Sequence, residues 1–162
     1  MAWATGKLGG AVSFDGVDDY VNIGNMGIGG NGIATISVWI SRFRTGVNEG
    51  PWSNTNFLSG DNNLYFRATN DYFSRPFTAA NTWTYITVTY SGDTSTAKLY
   101  VNGLGPTNIS QQTGSHNIQP LNNFYLGKSS GGENLSGLID DARVYDRVLS
   151  PAEIMVIYNA TK

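Results

Sequence analysis

A chain of 162 residues is long enough to bury one sizeable core and too short for two ordinary domains, so a single domain over 1–162 is expected. Ten basic against twelve acidic residues, only 14% charged in all, leave neither the basic footprint that nucleic acid needs nor a polybasic patch for a membrane surface. Cysteine is absent, which excludes disulfides, thiolate metal sites and thiol nucleophiles, and no run approaches the roughly 18 apolar residues of a membrane span.

The predicted elements begin with AVSFD (11–15) and YVNIG (20–24), two short alternating runs separated by the turn-like GVDD. IATISVWISRF (33–43), NFLSG (56–60) and NLYFRA (63–68) follow. TWTYITVTYSG (82–92), TAKLYVNG (96–103), NFYLG (123–127) and LSGLIDDARVYDR (135–147) complete the set. Many short strands with Gly, Asn and Asp between them predict an all-β sandwich or jelly roll. Residues 44–56 and 103–122 are polar and punctuated by Gly and Pro, and read as loops of the kind that carry function on rigid scaffolds.

The one helical signal is LSPAEIMVIYNATK. Ser150 suits an N-cap, Pro151 the first helical position, and Glu153 completes a capping box, predicting a helix from about 151 to 159.

Strand parity separates two kinds of face. In ISVWIS, Ile36, Val38 and Ile40 oppose Ser37, Trp39 and Ser41; in YITVTY, Ile86, Val88 and Tyr90 oppose Tyr85, Thr87 and Thr89. Leu99 and Val101 likewise oppose Lys98, Tyr100 and Asn102, and Leu64, Phe66 and Ala68 oppose Tyr65 and Arg67. The aliphatic faces suit a sheet partner. The aromatic and polar faces suit a sugar, whose C–H side stacks on flat rings while Asn, Arg, Thr and Tyr meet its hydroxyls. Trp39, Tyr65, Arg67, Tyr85 and Tyr100 are therefore candidates, with coverage by a loop or the C-terminal helix as the competing reading.

The segments WATGKLGGAVSFDGVDDYVNIG, ATISVWIS, NTWTYITVTYSG, TAKLYVNG and LSGLIDDARVYDRVLSPAEI together resemble the laminin-G-like domains of the concanavalin A-like lectin/glucanase superfamily, in the bacterial form found in secreted multi-domain proteins. They come in that family's order and cover nearly the whole chain apart from 42–80 and 103–122. The resemblance implies a jelly-roll sandwich of two antiparallel sheets with its first and last strands adjacent. A ligand-binding role is implied too, as many members have one. Trp39 and Trp83 fall where the family itself has Trp, which implies packing. Trp52, Tyr72, Phe73 and Phe77 lie in the departing middle and are candidates for contacts particular to this protein.

Catalytic members of the superfamily alternate Glu and Asp along one strand, and glycosidases set two carboxylates about 5–5.5 Å or about 6.5–9.5 Å apart. Here the three glutamates, Glu49, Glu133 and Glu153, fall in a loop, a loop and the helix start. The adjacent pairs Asp18-Asp19 and Asp140-Asp141 point to opposite faces on a strand. His116 sits in a Ser/Asn/Gln loop without triad partners. No catalytic residues are expected.

Calcium takes about six to eight hard oxygens, and FDGVDDY supplies carboxylates and carbonyls in one turn. Because the resemblance places the last strand beside the first, Asp15 and Asp19 with Asp140 and Asp141 are the expected ligands of a structural Ca²⁺, with carbonyls around Gly16 filling in. An ordinary Asp-Gly turn, or neutralisation by Arg143 or Arg147, is the competing reading. The resulting expectation is a non-catalytic carbohydrate-binding or adhesive module of an extracellular or cell-surface bacterial protein, binding a polysaccharide or glycan and flanked by neighbouring domains. MAWATGKLGG lacks a charged and apolar leader, so a secreted chain would be a module of a larger protein. The alternative is a purely structural or protein-adhesion repeat, as in a surface adhesin or a phage tail fibre, with no sugar ligand.

Overall fold

The computed structural model describes residues 1–27, 33–44, 47–52, 56–60, 63–68, 71–76, 80–91, 96–107, 123–129 and 131–162, with the backbone alone for 56–60, 63–68, 71–76, 91, 96–97 and 106–107. Among them are thirteen strands and one helix. The strands are β1 (Ala2–Thr5), β2 (Gly10–Asp15), β3 (Val21–Gly24), β4 (Ala34–Arg42), β5 (Glu49–Trp52), β6 (Asn56–Gly60), β7 (Asn63–Ala68), β8 (Asp71–Pro76), β9 (Thr84–Ser91), β10 (Thr96–Val101), β11 (Leu104–Thr107), β12 (Phe124–Leu126) and β13 (Ser136–Tyr145), and the helix is α1 (Pro151–Thr161).

They form a seven-stranded sheet in the order β1-β2-β13-β4-β9-β10-β11 and a six-stranded sheet in the order β3-β12-β5-β6-β7-β8, all pairings antiparallel. The jelly-roll sandwich is thus present, and the last strand, β13, lies against β2 as expected. Nothing in the described residues is a helix long and apolar enough to cross a membrane.

Parity decides what each face of the large sheet touches. Ile36, Val38, Ile40, Ile86, Val88 and Leu99 join Phe14 in a core that meets Trp52 and Phe124 of the small sheet. Fully burying each such side chain stabilises by about 1.5–3 kcal/mol, which makes this inter-sheet layer the main source of stability. Thr35, Ser37, Trp39 and Tyr85, on the opposite face, are as dry as the aliphatic row.

The helix explains that second dry face. Ser150 accepts from the Glu153 N–H, and the Glu153 carboxylate accepts from the Ser150 N–H at 2.8 Å, closing the predicted capping box with Pro151 in the first turn. The helix runs two residues beyond the predicted end, to Thr161. Ile154 packs with Tyr100 and Leu149, Ile157 beside them, while the Tyr158 ring lies 5.7 Å from Trp39 and 6.1 Å from Tyr85.

Two segments expected to be loops contain strands. Within 44–56, Glu49–Trp52 forms β5, disguised by Gly50 and Pro51 and by a register shift against β6. A side chain at Gly50 would run into the Ser129 backbone, so the strand passes where only glycine fits. Within 103–122, Leu104–Thr107 forms β11 at the edge of the large sheet.

Candidate functional site

The aromatic face of the large sheet is closed. Trp39, Tyr85 and Tyr100 are 2%, 1% and 2% exposed. Trp39 Nε1 donates to Thr161 Oγ1 at 3.0 Å and its ring sits 5.2 Å from Tyr85. Lys7 Nζ covers the Trp39 ring at 5.0 Å. Of the two readings of these rings, coverage by the C-terminal helix holds and an open groove does not: α1 lies on them, because Ile154, Ile157, Tyr158 and Thr161 give the helix an inward stripe that needs an apolar partner. Trp52 is corrected likewise, being fully buried between the sheets. Tyr65 and Arg67 fall on β7 and Tyr72 on β8, with Arg67 opposite Tyr72 in register. Their side chains, with those of Phe73, Phe77 and His116, lie outside the described residues.

The proposed cation clamp does not assemble. Asp15 pairs with Ser136 in the β2–β13 ladder, which leaves Asp140 four residues further along, about 13 Å at roughly 3.3 Å per residue. Asp140 instead caps the β1–β2 turn: its Oδ2 accepts from the Leu8 N–H and its Oδ1 from the Asp141 N–H, each at 2.7 Å. Gly6 permits this approach, since a Cβ there would stand 2.5 Å from the same Oδ2. Asp141 occupies a bulge with φ +48° and accepts from Arg143 Nε at 2.8 Å, while Arg147 pairs with Glu153.

What does assemble is Asp15, Asp18 and Asp19, each with a carboxylate oxygen within 4.8 Å of the others. Asp15 Oδ1 accepts from the Val17 N–H at 2.8 Å, and this bond above all holds its carboxyl below the usual range. Asp19 pairs with the N-terminal ammonium. Asn134 Nδ2 donates to the Val17 carbonyl, and Arg44 leans over Gly16, whose φ of +81° suits the turn.

Each of the three glutamates is engaged in a local contact of the fold. Glu49, expected in a loop, opens β5 fully buried, accepting from Arg44 Nε at 2.9 Å and from the Ser136 N–H at 3.2 Å. Burial pushes its carboxyl up against the pull of Arg44, Ser136 and Arg42, and burial also lowers Arg42, which continues the inward row of β4. Glu133 accepts from the Ser129 hydroxyl, and Glu153 caps the helix.

Aromatics are open elsewhere. On the small sheet Phe124 and Leu126 point into the core, so Tyr125 between them points out. Tyr20, just before β3, meets Tyr125 edge to face with centroids 5.5 Å apart, and is 43% exposed. Lys128 Nζ stands 5.0 Å over the Tyr20 ring. Asn22 pairs with Tyr125 in register and Ile23 beside it is exposed. The sequence reading missed this group, although period-2 parity in NFYLG already turns Tyr125 outward.

A two-sheet jelly roll is an architecture that lectin domains share with viral capsid proteins and cupins. The family model Laminin_G_3, described as the concanavalin A-like lectin/glucanases superfamily, matches residues 15–155, and the chain belongs to that family. No curated protein sequence matches it. Among solved structures it is similar to domain 4 of AbnA, a GH43 extracellular arabinanase from Geobacillus stearothermophilus, in complex with arabinotriose, at 18% identity over 97% of this chain and 80% of that one, TM-score 0.75. It is also similar to the CBM40 of a Ruminococcus gnavus IT-sialidase, at 14% identity over 91% and 96% of the two chains, TM-score 0.70. A third is the SAP-like pentraxin of Limulus polyphemus, at 18% identity over 96% and 84%, TM-score 0.66. At such identities the likeness is one of fold.

Proposed function

We propose that the chain is a non-catalytic carbohydrate-binding module of an extracellular protein. The observation that carries this reading is the aromatic platform made by the edge-to-face pair of an exposed Tyr20 and a half-buried Tyr125, beside Asn22 on the face opposite the inter-sheet core. Flat rings flanked by amide and hydroxyl groups are what a sugar's two-sided chemistry requires. The reading is supported by two neighbours of the same fold, an arabinanase domain complexed with arabinotriose and a sialidase carbohydrate-binding module. The platform lies on the same sheet as β7 and β8, which carry Tyr65, Arg67 and Tyr72, so an extended glycan following that sheet is the expected ligand.

The calcium part of the reading keeps Asp15 and Asp19, gives up Asp140 and Asp141, and takes in Asp18, giving a hard-oxygen cluster of the kind Ca²⁺ takes, acting on stability rather than on the sugar. A glycan array run with calcium and with EDTA tests both parts, alongside melting in the two buffers. Binding to at least one glycan, lost in Tyr20→Ala, supports the module. An array that stays blank while the protein is folded favours the structural or adhesive repeat, and identical melting with calcium and with EDTA removes the metal.

A further inference from the structure

We infer that the platform selects a carboxylate-bearing sugar, a uronate or a sialate, through Lys128. This rests on the carbohydrate-binding reading and names the substrate class of that same site.

Lys128 is held in place by its backbone. The Gly127 N–H donates to the Pro51 carbonyl and the Leu135 N–H to the Gly127 carbonyl, both at 2.9 Å, and Lys128 itself bridges Asn134. Gly127 turns the chain there with φ +82°, at a point where a Cβ would meet the Phe14 ring. The lysine is thereby delivered next to Tyr20 by a fixed turn.

Among the described residues Lys128 makes no ion pair with a carboxylate. The nearest acids in sequence to Tyr20 are directed elsewhere or solvated. Asp19 accepts from the Asp15 N–H and pairs with the N-terminal ammonium, and Asp18 is exposed. One side of the ammonium rests on the ring, a contact within the roughly 6 Å at which a cation is drawn to an aromatic face. An ammonium has three donors, so a sugar stacked on the platform with its carboxylate toward Lys128 gains a charge-assisted hydrogen bond. A neutral sugar of the same shape does not gain it.

The test uses trigalacturonate and 3′-sialyllactose, each against its own methyl ester, titrated calorimetrically at low salt. The acid of at least one pair is expected to bind at least about ten-fold more tightly than its neutral partner, the low end of what a hydrogen bond to a charged group contributes, and added salt should erode the difference. Lys128→Met should abolish the preference for the acid over its neutral partner and Lys128→Arg should keep it, with melting of both variants as the check on folding. Equal affinity within both pairs, or a preference that survives Lys128→Met, overturns the inference while the carbohydrate-binding reading stands. Failure of every sugar to bind overturns both.

Discussion

The two sheets present similar aromatic residues on their outer faces and put them to opposite uses. On the seven-stranded sheet Trp39, Tyr85 and Tyr100 lie under α1, dry and locked by the Trp39–Thr161 hydrogen bond. On the six-stranded sheet Tyr20 stands 43% exposed against Tyr125, with a lysine over its face. What separates a second core from a platform is a cover: eleven helical residues with an inward stripe. Residue type and strand parity are alike on both sides, so aromatic content alone does not tell the covered face from the open one.

The comparison breaks most visibly under truncation. Trp39→Ala should cost about 4 kcal/mol, in the range for large buried aromatics, whereas Tyr20→Ala should cost about 1 kcal/mol, the worth of an exposed aromatic pair. Denaturant unfolding of the two variants measures this, with glycan binding as the second axis. Tyr20→Ala should keep the fold and lose the sugar. Comparable destabilisation by both would erase the distinction between the faces.

Thr161→Val probes the cover itself. It preserves shape but removes the acceptor of the buried Trp39 Nε1–H, so a loss of about 1–2 kcal/mol is expected from the orphaned donor. Thr161 also donates back to the Ile157 carbonyl at 2.9 Å, a bond within the helix whose loss adds little. An unchanged melting temperature would mean that the helix end is not fastened to the sheet.

How much of this was legible follows from the range of each signal. Alternation in ISVWIS and YITVTY is local, and it correctly divided the aliphatic from the aromatic face. The capping box at Ser150–Glu153 is equally local and fixed the helix start. The helix's destination was also encoded, in the i, i+3, i+4, i+7 spacing of Ile154, Ile157, Tyr158 and Thr161, a stripe that demanded a partner. The acidic clusters failed because register is not local. Adjacency of β2 and β13 brings Asp15 to Ser136, and only the ladder itself shows that Asp140 is four positions away. β5 escaped because Gly50 and Pro51 carry turn chemistry into a strand, where close backbone approach and a bulge accommodate them.

The smallest effect sharpens the comparison at the helix's other end, through pH. Arg147, at 2.7 Å, and then Ser150 hold the Glu153 carboxyl down at about 2, from an ordinary 4.5. A depressed folded value means that the contribution is complete above the unfolded value and is lost as pH falls from about 4.5 through about 2. Asp15, lowered chiefly by the Val17 N–H, works in the same direction. Glu49, raised by burial, works in the other: its contribution is complete below the unfolded value and is lost as pH climbs through the folded one. The wild-type acid limb therefore mixes signs, and the difference between wild type and Glu153→Gln isolates the cap. That difference in melting temperature should be modest near neutrality, because the carboxylate is solvated, and should vanish below pH of about 2. If acid also frees α1 from the aromatic layer, the Trp39 indole N–H resonance should shift over the same interval while sugar binding, where present, persists. A gap between the two proteins that does not narrow with acid would show that Glu153 acts by shape, not by charge.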